Sequence, residues 1–248
     1  MASPLTPSRA PAPVLEEAIV LCGGLGTRLR PVVSDVPKPM AQVAGRPFLD
    51  YVLAFLAAEG VRRVVLAAGY KAAVIEGRYG PRWGELKIAY SIESEPLGTG
   101  GALRQALERL EGGAGVVVNG DSLLLAPMAP LAGPLAAGAA LVLTACRRAD
   151  AAGAGVCELA GDRLTGFHSG APGEAGLVNA GVYALRRDLF ADLDLPPAFS
   201  FEREVLEALA SSLDIRVVIS AADFIDIGLP DTYTAAQGLL AKVADPGG

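Results

Sequence analysis

The alternation of short apolar runs with amphipathic segments constrains the fold more than any other feature of this chain. Runs typical of buried strands are followed by segments whose apolar side chains recur at helical spacing. Phe48, Val52, Phe55 and Leu56, for example, share one predicted helix face that ends before Gly60. This alternation predicts the α/β class, with a mainly parallel sheet covered by helices on both faces. The predicted strands are 18–21, 64–68, 86–92 and 116–119, and the predicted helices are 48–59, 71–79 and 102–110.

The second half is less regular but continues the same sheet. Gly161-Asp162 separates two apolar runs and predicts a hairpin, and Ser200 precedes two glutamates as a predicted helix N-cap. Pro230 suits the first turn of a last helix. Because no break in composition appears, we expect one domain over 16–244, its part from about 150 to 230 facing a substrate. The remaining predicted strands are 139–145, 156–159, 163–167, 178–185 and 215–219.

Composition narrows the class of protein further. Hydrophobic residues make up 52% of the 248 residues and the net charge is only -6, which excludes a disordered chain and a general nucleic-acid binder. Residues 1–15 are rich in proline without the apolar core of a secretory signal, and we expect a disordered tail there. Three cysteines without CxxC spacing indicate neither a disulfide framework nor a zinc site, so we expect a cytoplasmic protein.

One segment is long enough to raise the question of a membrane span. Leu123 to Cys146 contains no charged residue. Pro127, Pro130 and Pro134 would break a continuous helix there, so a loop, a short helix and a buried strand are the better prediction.

A glycine-dense turn follows the first predicted strand, in the sequence LCGGLGTRLR from Leu21 to Arg30. Glycines allow backbone amides to surround phosphate oxygens, and Arg28 adds a permanent positive charge. The spacing is not that of a P-loop, and it matches a dinucleotide fingerprint poorly because Leu29 replaces the third glycine. On the pattern alone, a purely structural turn stays open as an alternative.

A lysine held between prolines lies ten residues beyond Arg28. Pro37 and Pro39 restrict the backbone around Lys38, as expected where an ammonium group has to be held in place. A solvated loop lysine is the alternative. The proximity of Arg28 and Arg30 in the same loop favours a local phosphate-binding cluster within an acidic protein.

These motifs together resemble the signature of the sugar-1-phosphate nucleotidyltransferases. The resemblance begins with residues 23–29 and 37–40 and extends over about residues 17 to 240. It implies a Rossmann-like three-layer α/β/α fold with a mixed central sheet. Within the family, residues 199–202 and 224–228 are most similar to D-glycero-α-D-manno-heptose 1-phosphate guanylyltransferases. Further matches, in order, are EPLGTGGA at 95–102, NGD at 119–121, NAGVY at 179–183 and FIDIG at 224–228.

Two aspartates are the predicted metal ligands. Asp121 follows one predicted strand and Asp226 follows another short apolar segment, and open α/β sheets bind ligands at the carboxyl ends of strands. Either aspartate alone could instead be a turn or cap residue. If they converge, they would hold Mg²⁺ on nucleotide phosphates.

The resemblance implies that the sugar phosphate attacks the α-phosphorus of a nucleoside triphosphate and releases pyrophosphate. In such a reaction the protein mainly positions the reactants and neutralises their charge. The implied catalytic residues are Arg28, Lys38, Asp121 and Asp226. Glu93 or Glu95 could accept hydrogen bonds from guanine, which favours GTP. The implied nucleotide-binding residues are Leu21, Gly23, Gly24, Gly26, Thr27, Arg28, Glu93, Gly98, Thr99 and Gly100.

Sugar recognition is expected to use Asn119, Asn179 and Glu174. Family members commonly carry a Glu-Lys pair in the hairpin after Phe167, whereas this chain has His168-Ser169-Gly170 and no lysine. His168 or Arg203 are the predicted replacements, against the alternative that His168 is a solvated loop residue.

Several functions stay open at this stage. The leading hypothesis is a Mg²⁺-dependent guanylyltransferase acting on GTP and a heptose 1-phosphate. The same chemistry would also suit mannose 1-phosphate with GTP, or an amino-sugar 1-phosphate with UTP. A catalytically silent nucleotide-sugar sensor and a dehydrogenase are the alternatives from other classes. Assembly into a homo-oligomer is also left open.

Overall fold

The structure is a computed structural model that describes residues 15–24, 29, 32–33 and 35–244. The predicted tail lies outside the described residues, apart from Leu15, which is partly buried against the core. Gly26, Thr27 and Arg28 of the predicted nucleotide site also lie outside them.

The secondary structure follows the predicted alternation over most of the described chain. The strands are β1 (Glu17–Leu21), β2 (Gln42–Val43), β3 (Arg46–Pro47), β4 (Arg63–Ala68), β5 (Arg82–Trp83), β6 (Leu86–Ile92), β7 (Ala114–Asn119), β8 (Ser122–Leu124), β9 (Leu141–Arg148), β10 (Gly155–Ala160), β11 (Arg163–Ser169), β12 (Gly176–Arg186), β13 (Ile215–Ser220) and β14 (Phe224–Asp226). The helices are α1 (Phe48–Ala58), α2 (Ala72–Tyr79), α3 (Gly98–Leu107), α4 (Ala129–Ala136) and α5 (Pro230–Ala244), with a 3-10 turn at Lys38–Met40 and a π-helical segment at Glu202–Glu207.

Ten strands form one continuous mixed sheet in the order β10-β11-β13-β9-β12-β7-β1-β4-β6-β5. Strands β7, β1, β4 and β6 are mutually parallel, as βαβ connections require. Strand β12 runs antiparallel between β7 and β9, and β13 is parallel to β9. The predicted α/β class with a mixed sheet is therefore confirmed, and much of the second half is antiparallel.

Helices cover both faces of this sheet, which gives the predicted three layers. Side chains of β1 alternate between the two cores: Ala18 and Val20 face one, and Ile19 faces the other. Helices α1, α2, α4 and α5 contribute buried side chains to the first core, and α3 with the π-helical segment contributes to the second. Loops form the edge of the sheet at the carboxyl ends of the parallel strands.

Two features differ from the sequence prediction. The chain after Ser200 forms a π-helical segment where a helix of unspecified type was expected, although the Ser200 hydroxyl does accept the Arg203 N–H at 3.2 Å. The short pairs β2–β3 and β8–β14 have no counterpart in the prediction. The predicted short helix and buried strand within residues 123–146 are confirmed, because α4 and β9 follow the end of β8 there. Among the described residues, no helix is both long and apolar enough to cross a membrane.

Candidate active site

The predicted site residues gather at the carboxyl-end edge of the sheet. Strand β7 ends at Asn119 beside β1, and the Gly120 N–H donates to the Leu21 carbonyl at 3.0 Å. A Cβ at Gly120 would lie 2.9 Å from that carbonyl oxygen, so the close approach of the two strand ends requires a glycine there. Asp121 follows directly and reaches the open edge.

Lys38 lies opposite Asp121. It opens the 3-10 turn, which is anchored in the core because Pro39 and Met40 are buried. The Lys38 side chain is only 13% exposed and its ammonium forms an ion pair with the Asp121 carboxylate. The predicted fixing of this lysine by flanking prolines agrees with its buried stem and defined partner.

Asp226 is brought to the same place by the pairing of β14 with β8. Asp226 lies opposite Ser122 in this register, and the Ile227 N–H donates to the Asp121 carbonyl at 3.0 Å. The Gly228 N–H donates to Oδ1 of Asp226. A Cβ at Gly228 would lie 2.8 Å from this oxygen and 3.2 Å from Nζ of Lys38. Lys38, Asp121 and Asp226 therefore form one cluster around Gly228.

The electrostatics of this cluster favour a bound cation. Burial raises the pKa of the Asp226 carboxyl, and the negative charge of Asp121 raises it further. Two carboxylates that repel each other at a strand edge are a donor set suited to a hard divalent cation. Among the described residues, no three His, Cys, Asp or Glu side chains form a metal-binding group. A divalent cation held by these two carboxylates would take its other ligands from phosphate oxygens and water.

A second polar cluster is built on β12. The Asn179 amide donates to the buried Tyr183 hydroxyl at 2.6 Å and to Glu202 at 3.2 Å, while its oxygen accepts the Gly181 N–H. A Cβ at Gly181 would lie 2.6 Å from the Asn119 amide nitrogen, so Asn119 lies between the two clusters. The sequence prediction missed Glu202, although Glu202 ends the 199–202 match.

The glycine loop at the start of α3 is shaped by packing against Phe199. A Cβ at Gly98 would lie 2.5 Å from the Phe199 carbonyl oxygen, and a Cβ at Gly100 would overlap its ring. The Thr99 hydroxyl accepts the Phe201 N–H at 2.9 Å. This loop thus holds the segment that carries Glu202, and its predicted contact with the base stays a prediction.

Glu93 connects this loop to the glycine turn after β1. Its Oε2 accepts the Leu97 N–H at 3.1 Å, and its side chain covers Gly69. A Cβ at Gly23 would lie 3.3 Å from Oε1 of Glu93. Gly24 has a φ of +117°, the left-handed region that glycine tolerates. Glu93 is therefore placed between the two predicted nucleotide-binding loops.

The two predicted replacements for the missing lysine are both occupied by carboxylates. His168 Nε2 lies 2.9 Å from Glu174, and its Nδ1 lies 3.4 Å from Glu158. The hydrogen bond that His168 donates to the Glu174 carboxylate raises the pKa of His168. Arg203 is 76% exposed on its side chain and its guanidinium lies 3.9 Å from Glu204. No contact within the described part of the chain brings Arg203 to Asn179 or Asp226.

Comparison with known proteins identifies the family of this chain. The nucleotidyl transferase model matches residues 17–242. This chain belongs to the nucleotidyl transferase family. The match spans β1 and most of α5, and therefore includes Lys38, Asp121 and Asp226 of the first cluster.

Two relatives of this nucleotidyltransferase share the same name. The D-glycero-alpha-D-manno-heptose 1-phosphate guanylyltransferase of Aneurinibacillus thermoaerophilus is 39% identical over 224 residues, which cover 89% of this chain and 96% of that protein. The protein of that description from Campylobacter jejuni is 38% identical over 218 residues, 88% of this chain and 96% of the relative.

A solved structure has the same fold. The crystal structure of HddC from Yersinia pseudotuberculosis superposes with a TM-score of 0.80 at 30% identity, covering 91% of this chain and 99% of that one. A second crystal structure of HddC, complexed with GMP-PN, superposes with a TM-score of 0.78.

Proposed function

We propose that this enzyme transfers a guanylyl group from GTP to D-glycero-α-D-manno-heptose 1-phosphate, forming GDP-heptose and pyrophosphate. The observation that carries the proposal is the cluster of Lys38, Asp121 and Asp226 at the carboxyl ends of the strands. The heptose substrate is supported by the two relatives of that description, and the guanine nucleotide is supported by the HddC complex.

The chemistry requires a sugar phosphate oxygen to attack the α-phosphorus while pyrophosphate leaves on the opposite side. Both reactants are polyanions, so the protein has to bring negative charges together and hold them in line. The buried turn and the ion pair with Asp121 together hold the Lys38 ammonium in one position. There it would neutralise charge that develops on the reacting phosphates. Arg28 would neutralise the leaving pyrophosphate from the glycine turn.

Mg²⁺ is the cofactor that we assign to Asp121 and Asp226. The two carboxylates would hold the ion, which when bound would supply positive charge to offset the negative charge of the phosphates. Its positive charge would also favour the ionised form of Asp226, whose pKa is otherwise raised. Two hydrogen bonds help to fix these residues. The Gly228 N–H donates to the Asp226 carboxylate, and the Ile227 N–H donates to the backbone carbonyl of Asp121.

Substrate recognition would be divided between two polar surfaces. Glu93 lies between Gly23 and the α3 loop, where it could accept from the N1–H and amino group of guanine. Asn179 and Glu202 would pair with sugar hydroxyls, with Asn119 beside them. We also propose a cytoplasmic location, which is supported by the three cysteines because all of them are free and buried.

The test is a matrix of substrates with the purified full chain. GTP, UTP, ATP and dTTP are each combined with heptose, mannose, glucose and N-acetylglucosamine 1-phosphates in the presence of Mg²⁺, and pyrophosphate release is measured. We expect the highest kcat/KM with GTP and the heptose 1-phosphate. Release only with UTP would contradict the guanylyl assignment, and preference for mannose 1-phosphate would contradict the sugar assignment. Binding without any turnover would indicate a nucleotide-sugar sensor.

A further inference from the structure

We propose that Arg148 binds the phosphate of the sugar 1-phosphate and acts as a substrate-positioning cation beside Asp226. The proposal rests on the proposed function and assigns a residue that neither the family pattern nor the charge clusters of the sequence suggested. A sugar 1-phosphate is a dianion at neutral pH, and it has to approach two carboxylates before it reacts. A cation on its side of the site would offset the repulsion between the dianion and these carboxylates.

The sheet topology brings Arg148 to the reacting edge. Strands β7 and β9 are both antiparallel to β12, so they run in the same direction and end at the same edge. Asp121 follows the end of β7, and Arg148 is the last residue of β9. Cys146, two residues earlier, packs in the same core as Ile225 of β14, so Arg148 faces the β14 side of the sheet.

Side-chain contacts hold the guanidinium near Asp226. Its central carbon lies 5.0 Å from the centroid of the Phe224 ring, a stacked cation–π arrangement. Phe224 and Asp226 are two residues apart on β14 and therefore point to the same face. The Arg148 charge also acts on Asp226, where it opposes the rise in the pKa of that carboxyl. The guanidinium also forms a hydrogen bond with the Cys146 side chain. Its remaining N–H groups would donate to a phosphate from the edge of the planar group.

Three other cations near the site, among the residues that the structure describes, are already engaged with carboxylates. Lys38 is paired with Asp121, His168 lies between Glu174 and Glu158, and Arg203 is exposed next to Glu204. Arg148 forms no ion pair with any carboxylate among the described residues, and its side chain is partly buried. It is positioned to meet an anion that arrives from solution.

The experiment compares Arg148→Gln with Arg147→Gln and Arg148→Lys. Arg147 is the matched control because it is exposed, is adjacent in sequence and points to the opposite face of β9. For each protein, KM is measured for heptose 1-phosphate and for GTP, and the heptose 1-phosphate Kd is measured by calorimetry. Melting temperatures report on folding.

We expect Arg148→Gln to raise the KM and Kd for heptose 1-phosphate by about 10- to 100-fold, the size of a lost charge-assisted hydrogen bond, while the KM for GTP stays unchanged. Arg148→Lys should give KM and Kd values between those of the wild type and Arg148→Gln, because lysine keeps the charge and lacks the planar donor. Arg147→Gln should resemble the wild type.

Three results would overturn the role of Arg148 in an active enzyme. An equal rise in the KM for GTP would assign the guanidinium to the nucleotide phosphates. A lower melting temperature with unchanged Kd would make it a purely structural partner of Phe224. Equal effects of Arg147→Gln would indicate a nonspecific effect of charge. A wild type that turns over no sugar phosphate would instead contradict the proposed function itself.

Discussion

Gly228→Ala tests whether the enzyme depends on the exact placement of its charged cluster. The added Cβ would lie 2.8 Å from Oδ1 of Asp226, whereas ordinary contacts begin at 3.4 Å. The oxygen therefore has to move by about 0.6 Å, the difference between these two distances, and Nζ of Lys38 by about 0.2 Å on the same reckoning. Moving the oxygen also weakens its hydrogen bond to the Gly228 N–H.

Displacements of this size are expected to be costly at a phosphoryl centre. A misplacement of about 1 Å can lower the rate about 100-fold, so we expect kcat to fall by about 10- to 100-fold. The assay is steady-state pyrophosphate release with GTP and heptose 1-phosphate, together with thermal melting.

Gly238→Ala is the matched control for this substitution. A Cβ at Gly238 in α5 meets no atom within 4 Å. Alanine should therefore leave kcat unchanged and add up to about 1 kcal/mol of helix stability. A Gly228→Ala protein that melts like the wild type and keeps its kcat would refute the reasoning. It would mean that Lys38 and Asp226 do not need to be held where the structure has them.

Three further predictions follow from named contacts. Asp121→Asn should abolish measurable pyrophosphate release and change the free energy of unfolding by less than about 1 kcal/mol, since its pair with Lys38 is partly exposed; substantial turnover would remove its catalytic role. Asp50→Asn should lower the free energy of unfolding in urea by about 2–4 kcal/mol, because the buried carboxylate accepts from the Tyr79 hydroxyl at 2.6 Å; a change below 1 kcal/mol would contradict this. The only histidine, His168, should titrate by NMR with a pKa above 6.5 that falls in the Glu174→Gln variant; an unchanged titration would exclude the pair.

The pH range of the His168–Glu174 pair follows from the two shifts. The pKa of His168 is raised, so its contribution to stability is complete below about 6.5 and is lost as the pH rises through the folded value. The pKa of Glu174 is lowered, so its contribution is complete above about 4.5 and is lost as the pH falls through the folded value. The pair should therefore stabilise the hairpin most between these two ordinary values.

The strands and helices of the first half could be predicted because each is a local pattern of burial. Asp121 could be predicted for the same reason, since it follows the run of buried valines in β7. The β8–β14 pair could not, because two strands of three residues are joined across about a hundred residues of chain. The meeting of Asp226 with Asp121 was accordingly only a hypothesis before the fold was known.

The roles of some motif residues also depend on tertiary contacts. The sequence explained Gly98 and Gly100 by close approach to a base, but the structure gives them a further reason, the packing of Phe199 against α3. Glu202 stood out only as the last residue of the 199–202 match, and Arg148 carried no local signal. Their partners, Asn179 and Phe224, lie on other elements and are brought near only by the sheet order.

The central claim is that the sugar phosphate itself attacks the α-phosphorus of GTP. The direct test supplies the purified enzyme with GTP and heptose 1-phosphate labelled with ¹⁸O in its phosphate, and measures the products by mass spectrometry. We predict GDP-heptose that retains all of the label, with unlabelled pyrophosphate. Label in the pyrophosphate, or pyrophosphate formed without GDP-heptose, would contradict the account.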